Sequence, residues 1–225
     1  MAGVVALLGA TFVVLALLLR QAPGTAVDVA ISRWVQSVDL PAFTSLMVAV
    51  SAPGYAPFSW IVVGGVAAGL LLLRLWREAV FVLATEGANL VTTYSKLLVE
   101  RPRPGEDVVR VLSRLQDYSY PSGHVVGYVT VCGFLFFLLY TLARPFWWRT
   151  VGLVMLGFMV CSIGISRVHL GYHWASDVLG GYALGTAYLL MSIELYRLLV
   201  ARRRAPATEG GAADDPETDQ TARPM

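Results

Sequence analysis

Charge is what this chain has least of. Only 14% of its 225 residues are Asp, Glu, Lys or Arg, against 56% apolar residues. Soluble domains carry about 25% charged residues, so the shortfall argues against a soluble globular protein. The apolar excess excludes an intrinsically disordered chain. Lysine is almost missing: Lys96 stands alone beside sixteen arginines. Those arginines are scattered between apolar blocks, which excludes the continuous basic stripe that nucleic acid requires. Cysteine occurs twice, as Cys132 and Cys161, both inside apolar runs. Neither a disulfide framework nor a thiolate zinc site is expected from such a pair. A nucleotide-binding glycine loop and an internal repeat are also lacking.

The apolar residues come in long blocks, which makes lipid the natural solvent. A membrane-spanning helix needs about 20 mostly apolar residues. Six segments meet this roughly: Ala2–Leu19, Pro57–Leu75, Ala79–Leu98, His124–Leu142, Thr150–Ile165 and Val178–Val200. The first lacks a basic leading region and reads as a retained span rather than a cleaved signal. The expected fold is therefore all-α, a membrane bundle of six transmembrane helices over residues 1–204. The remaining 205–225 has almost nothing apolar to bury and reads as a disordered cytoplasmic tail. Segment 26–50 is interrupted by Asp28, Arg33 and Asp39, while Ile31, Trp34, Val35 and Val38 recur at helical spacing. That pattern predicts a short helix lying in the membrane interface.

Arginines set the orientation. Arg74 and Arg77 follow the second span, Arg144 and Arg149 the fourth, and Arg197 and Arg202 to Arg204 end the last. With six spans these sites share one side with the N-terminus, and the positive-inside rule makes that side cytoplasmic. The two longer polar loops, 99–123 and 166–177, then emerge outside. The chain's three histidines, His124, His169 and His173, and its single lysine all lie in or beside those loops.

Three clusters stand on that outer face. Lys96 is followed after six residues by Arg103-Pro104. Pro121-Ser122-Gly123-His124 opens the fourth span. Ser166-Arg167 is followed after five residues by His173, and after three more by Asp177. Lys96, Arg103 and Arg167 are cations without a matching set of acids. They suit a phosphate, Arg as a planar fork and Lys as a point charge. Backbone N–H groups of Ser122 and Gly123 at a helix start can add donors. His173 and Asp177 are four apart and stack on one helical face. Asp177 can then accept Nδ1–H of His173 and leave Nε2 free as a nucleophile. His124 has no such acid and suits the general acid on the leaving oxygen, then the base for water. Phosphoryl transfer needs mainly positioning and charge stabilisation, so no metal and no cofactor is expected.

These eleven positions resemble the motif of the type 2 phosphatidic acid phosphatase family, K-x6-RP, PSGH and SR-x5-H-x3-D, at every specified residue from Lys96 to Asp177. The resemblance implies a helical membrane bundle with an extracytoplasmic site. It also implies metal-independent hydrolysis of a lipid phosphate or diphosphate through a phosphohistidine. Carried over residue by residue, it makes His173 the nucleophile, His124 the acid–base group and Asp177 the orienting partner. Lys96, Arg103, Ser122, Gly123, Arg167 and Ser166 would hold the phosphate.

The expected protein is thus a multi-pass lipid phosphatase of the cell membrane, with both termini cytoplasmic. Its partners would be membrane lipids and a lipid phosphate. Undecaprenyl diphosphate ranks first for a bacterial source, followed by phosphatidylglycerol phosphate and phosphatidic acid. A phosphotransferase would use the same residues. A binding or transport protein of this fold would be expected to have lost His173 or Asp177. Outside the motif, Arg101 reads equally as a candidate for the second phosphate of a diphosphate and as a solvated charge beside Glu100. Glu86 reads as an interior hydrogen-bonded carboxyl with Glu194 as a candidate partner. His169 reads as a packed loop histidine. Gly180, Gly181 and Gly185 read as a close helix contact.

Overall fold

A computed structural model describes residues 1–201; the expected tail over 205–225, and Arg202 to Arg204, lie outside the described residues. The described chain is all-helical. In order it forms α1 (Ala2–Leu18), α2 (Ala26–Gln36), α3 (Pro41–Ser51), a 3-10 turn (Ala52–Gly54), α4 (Phe58–Leu72), α5 (Trp76–Ala84), α6 (Gly87–Val99), α7 (Gly123–Leu142), α8 (Trp147–His169) and α9 (Ala175–Ala201). Helix α7 is central and packs against α8 and α9, with α1 on the far side of α9 and α3 against α8.

Three of these helices, α7, α8 and α9, are long and apolar enough to cross a membrane. α1 and α4 are apolar but have 17 and 15 residues, about 26 and 23 Å at 1.5 Å per residue. The outer surface is built of large apolar side chains, among them Leu7, Leu17, Trp60, Leu72, Leu98 and Val154. Monomeric soluble proteins rarely expose apolar surface on this scale; the protein is a membrane protein.

Two segments depart from the sequence reading. Residues 79–98, read as one span, form two helices, α5 and α6, separated at Thr85 and Glu86. Such a break frees carbonyls that lipid cannot satisfy. Tyr188 of α9 donates its hydroxyl to Ala84 O at 2.8 Å, and Thr85 Oγ1 donates to Val82 O at 2.6 Å. The first residue of α6 has no side chain to obstruct that hydroxyl, because a Cβ on Gly87 would lie 2.4 Å from Tyr188 Oη. The second departure is 26–50, expected as one short helix. It forms α2 and α3, bent by 116°. Thr25 and Asp28 close a capping box at the start of α2, and Pro41 opens α3.

The face α2 buries is polar. Asp28, Ser32 and Gln36, spaced by four, are buried, while Val27, Ile31 and Trp34 are exposed, Trp34 at 75%. Gln36 Nε2 donates to Arg110 O at 2.8 Å and His169 O at 3.1 Å. Helix α2 therefore turns its apolar side outward and uses its polar side to hold the loops around the site.

Beneath those loops Val50, Val125, Tyr128, Val129, Ile163, Val168 and Val178 form one core that joins α3, α7, α8 and α9. A second core at the other end gathers Val82, Phe134, Leu138 and Tyr196, with Phe81 and Phe137 against it. The α7–α9 contact depends on missing side chains. A Cβ on Gly180 would stand 2.4 Å from the Tyr120 ring, and one on Gly181 would stand 3.0 Å from Ser122 O.

Candidate active site

The three motif clusters meet at one end of the bundle. Lys96 comes from the last turn of α6, Arg103 from the loop after it, His124 from the first turn of α7, Arg167 from the last turn of α8. His173 stands on the short turn before α9, and Asp177 in the first turn of α9.

Arg103 is the centre of the polar contacts. Its Nη1 lies 3.2 Å from His173 Nε2 and donates to Tyr172 O at 2.5 Å. Arginine can only donate, so Nε2 is the acceptor and the ring proton sits on Nδ1. That leaves an in-plane lone pair on Nε2 beside a cation. Burial holds the His173 pKa well below its ordinary value, and the nearby Arg103, Arg167 and Lys96 charges push the same way. The ring is neutral at physiological pH.

On its other side, His173 Nδ1 is 3.6 Å from Asp177 Oδ2, too long for a direct hydrogen bond. Ser119 fills the interval. Its Oγ is 3.4 Å from Nδ1 and donates to Asp177 Oδ2 at 2.5 Å. Asp177 is further fixed by Trp174 N at 2.8 Å and by Arg101 Nη1 at 2.5 Å. The expected His173–Asp177 pairing is thus a triangle with Ser119.

Arg167 is buried and shaped by aromatics. Its guanidinium carbon lies 4.4 Å from the Tyr172 ring centroid and 5.4 Å from that of Tyr55. Nη1 donates to Tyr55 Oη at 2.7 Å and Ser51 Oγ at 3.0 Å. Tyr55 also packs edge-on against His124, centroids 4.4 Å apart. A Cβ on Gly54 would stand 2.4 Å from His124 Cδ2, so only glycine admits the imidazole there.

Among the described residues six buried side-chain polar atoms have no hydrogen-bond partner, and three belong to the motif: Ser122 Oγ, His124 Nε2 and Arg167 Nε. Buried polar groups are normally satisfied. Three such atoms, two at the start of α7 and one in the last turn of α8, beside Arg103 and Lys96, suit an anionic ligand with several oxygens. Among the described residues, no group of three or more His, Cys, Asp or Glu is arranged to hold a metal.

A largely apolar cavity of about 300 Å³ runs below His124. Along α7 it is lined by His124, Gly127, Val131 and Cys132, one face over about 12 Å. Glu86 lines it too and accepts from Asn89 Nδ2 at 2.8 Å. A more polar cavity of about 440 Å³ lies on the loop side, bounded by Arg103, Gly105, Arg114 and Tyr172.

Several sequence expectations need correction. Arg101 does not face a second phosphate: it is 0% exposed and bridges Asp28 at 2.7 Å and Asp177 at 2.5 Å. The Ser122 N–H is taken by Asp177 O at 3.1 Å and is not free for an anion. Ser166 Oγ donates to Met47 O at 2.7 Å and lies 2.9 Å from Ser51 Oγ. Its hydroxyl therefore reaches Arg167 only through Ser51. Glu194 lines a groove between α1 and α9 rather than the cavity that Glu86 lines. His169 is packed, as read, but at the end of α8 rather than in a loop: its Nε2 sits 3.0 Å from Thr44 Oγ1, with Phe43 against its ring. Sequence reasoning missed Asp117, Ser119, Ser51, Tyr55 and Asp28. Asp28 had a signal, as an acid three residues after Thr25 at a helix start; the others carry no spacing signature.

The chain is similar to several known proteins. Phosphatidylglycerophosphatase B of Bacillus subtilis is 27% identical over 179 residues, 77% of this chain and 85% of its own length. Decaprenylphosphoryl-5-phosphoribose phosphatase of Mycobacterium tuberculosis is 29% identical over 164 residues, 70% of this chain and 84% of its own. The crystal structure of a transmembrane PAP2 type phosphatidylglycerolphosphate phosphatase from Bacillus subtilis superposes with a TM-score of 0.74 at 25% identity, over 87% of this chain and 96% of that one. The Aquifex aeolicus LpxE structure shares the fold, with a TM-score of 0.60 at 20% identity, over 76% of this chain and 96% of that one. The PAP2 superfamily model matches residues 75–201, more than half of the chain, so this protein belongs to the PAP2 superfamily and is a membrane phosphatase.

Proposed function

We propose that the protein hydrolyses a lipid phosphomonoester on the extracytoplasmic face of the cell membrane, through a phosphohistidine on His173. The observation that carries this is the 3.2 Å approach of Arg103 Nη1 to His173 Nε2. It fixes the tautomer with a lone pair on Nε2 and puts a cation where the transferring phosphoryl group would sit. Nε2 attacks phosphorus and the bond from phosphorus to the lipid oxygen breaks. Lys96, Arg103 and Arg167 stabilise the equatorial oxygens, with Ser122 Oγ as a further donor. His124 gives its proton to the leaving oxygen. A water deprotonated by His124 then displaces His173 and releases inorganic phosphate. Asp177, through Ser119, holds the Nδ1 proton in both steps. Gly123 opens α7 so that its helix N-terminus faces the anion. Ser166 acts through Ser51 on Arg167.

The apolar cavity below His124 suits the lipid chain, because the leaving oxygen and its chain lie on the side of the general acid. Six membrane crossings, with α2 lying at the interface, suit the arginine distribution and put this end of the bundle outside. Two findings move the preferred substrate from a diphosphate to a monoester such as phosphatidylglycerol phosphate. Arg101, the candidate for a second phosphate, is buried against two carboxylates. The similarity to the Bacillus subtilis phosphatidylglycerophosphatase extends over 77% of this chain, whereas that to an undecaprenyl-diphosphatase of Sulfolobus acidocaldarius extends over 35%.

Phosphate release from a panel of purified lipids, by the detergent-solubilised wild type beside His173→Ala, tests the reading. The expected result is release from phosphatidylglycerol phosphate well above the diphosphate, lost by at least a thousandfold in the variant, which still binds vanadate. Near-normal turnover by His173→Ala would overturn the nucleophile assignment, and a preference for the diphosphate would overturn the substrate.

A further inference from the structure

Asp117 lies outside every motif, yet it touches both cations of the first one. Its Oδ2 pairs with Lys96 Nζ, and its Oδ1 takes Arg103 Nη2 at 2.6 Å. Its backbone carbonyl takes Arg103 Nε at 2.8 Å. The carboxylate comes from the solvent side: the Asp117 side chain is 56% exposed, those of Lys96 and Arg103 only 16% and 11%.

With Asp117 in this position, the donors of Arg103 are used up. Nε serves the Asp117 carbonyl, Nη2 serves Asp117 Oδ1 and Tyr118 O, and Nη1 serves Tyr172 O and His173 Nε2. A phosphate cannot take the Arg103 fork and the Lys96 point charge while Asp117 holds them. Carboxylate and phosphate meet these donors by the same chemistry, and two anions packed on the same pair of cations would repel. Burial of the Asp117 carboxyl opposes ionisation, but Lys96 and Arg103 outweigh it and bring its pKa to about 2. Asp117 therefore stays charged at any working pH and leaves the cations only by moving.

We infer, building on the phosphatase reading above, that Asp117 is an internal competitor of phosphate. It holds Lys96 and Arg103 in place in the empty site, yields them to the phosphate of the substrate, and takes them back as inorganic phosphate leaves. The segment that carries it, between Arg103 and Ser119, hangs over the polar cavity on the loop side. The cost to affinity is the inverse of the fraction of molecules with Asp117 displaced. Two partly exposed ion pairs of ordinary strength keep that fraction between about a third and a thirtieth. Every phosphate ligand, product included, is weakened by that same factor.

The test uses the full chain in detergent micelles, with orthovanadate and inorganic phosphate as probes. Binding is read by thermal shift, and phosphate inhibition is read as a Ki against lipid phosphate hydrolysis. Asp117→Asn keeps the size and removes the charge; Asp117→Ala removes the contacts as well. Asp39→Asn, which removes the exposed acid paired with Arg110, controls for overall charge. The expected result is vanadate and phosphate binding about 3- to 30-fold tighter in both Asp117 variants, with Asp39→Asn unchanged. Unchanged or weaker binding in the Asp117 variants, or equal tightening by Asp39→Asn, overturns the inference while leaving the phosphatase reading intact. Failure of wild type and variants alike to bind either probe overturns the phosphatase reading, and this inference with it.

Discussion

Replacing Arg101 by Met leaves two buried carboxylates without their cation. In the structure, Arg101 Nη2 donates to Asp28 at 2.7 Å, and Nη1 donates to Asp177 at 2.5 Å and to Ser176 at 2.7 Å. The guanidinium and both acids are fully or almost fully buried. Removing one partner of such a pair costs about 3–5 kcal/mol, because the other charge is left desolvated and unpaired. For a chain of this size about 1 kcal/mol moves the melting temperature by roughly 2–4 °C, so Arg101→Met should melt about 6–20 °C below wild type. Part of the loss should return in the double variant Arg101→Met/Asp28→Asn, which removes one of the stranded charges. Arg101→Lys should fall between, since an ammonium cannot fork across two carboxylates. Activity should fall further than stability, because Asp177 loses the Arg101 contact that holds its carboxyl group beside His173. Thermal unfolding in detergent with parallel phosphate release measures both. A melting point within about 2 °C of wild type, with activity kept, would mean that the triad is not desolvated, and the reasoning would fail.

Two further outcomes follow from the site. His173 has its pKa lowered in the folded state, so below about pH 6.5 the unfolded chain takes up a proton that the folded chain refuses. This group's share of stability is present above that pH and is lost as pH falls, by up to about 1.4 kcal/mol per unit. Melting temperatures at pH 7 and pH 5 should show the slope, and His173→Gln should make it shallower; an equal slope in the variant would refute the assignment. Chelators should leave turnover intact, since the proposed steps use only side chains; loss in EDTA with recovery on adding magnesium would contradict them.

Much of the architecture is legible in the sequence because lipid imposes a simple rule: long apolar blocks become helices. The same rule hides the break at Thr85–Glu86. Hydropathy runs on through it, and the reason for the break, a hydroxyl from Tyr188, lies far along the chain. Helix α2 is legible by its apolar periodicity, but of that stripe only Val35 packs against the core, while Ile31, Trp34 and Val38 face outward. The informative stripe is the polar one, Asp28, Ser32 and Gln36, which in a soluble protein would be read as the solvated side. The motif positions are legible because the proposed phosphoryl transfer needs particular donors at particular spacings. Asp117 and Ser119 are not, since a loop can bring an acid or a hydroxyl to the site from many positions. Arg101 was misread for a related reason: its neighbours in sequence are Glu100 and Pro102, whereas its partners in space are Asp28 and Asp177.

The hydrogen bond from Ser122 N to Asp177 O joins the two motif segments by their backbones, at the seam where α9 presents Gly180 and Gly181 to Tyr120 and Ser122. His124 on α7, the proposed proton donor, and Asp177 on α9, the proposed orienting partner of His173, thus belong to one piece of scaffold. Their spacing is a property of how two helices are seated and not of the loops that arch over them. On the proposed reading, a change in residues 105–116 leaves the distance between these two side chains as it is. A common reaction centre under a changeable canopy is one way for a single helical frame to serve lipids as different as a glycerol phosphate and a sugar phosphate.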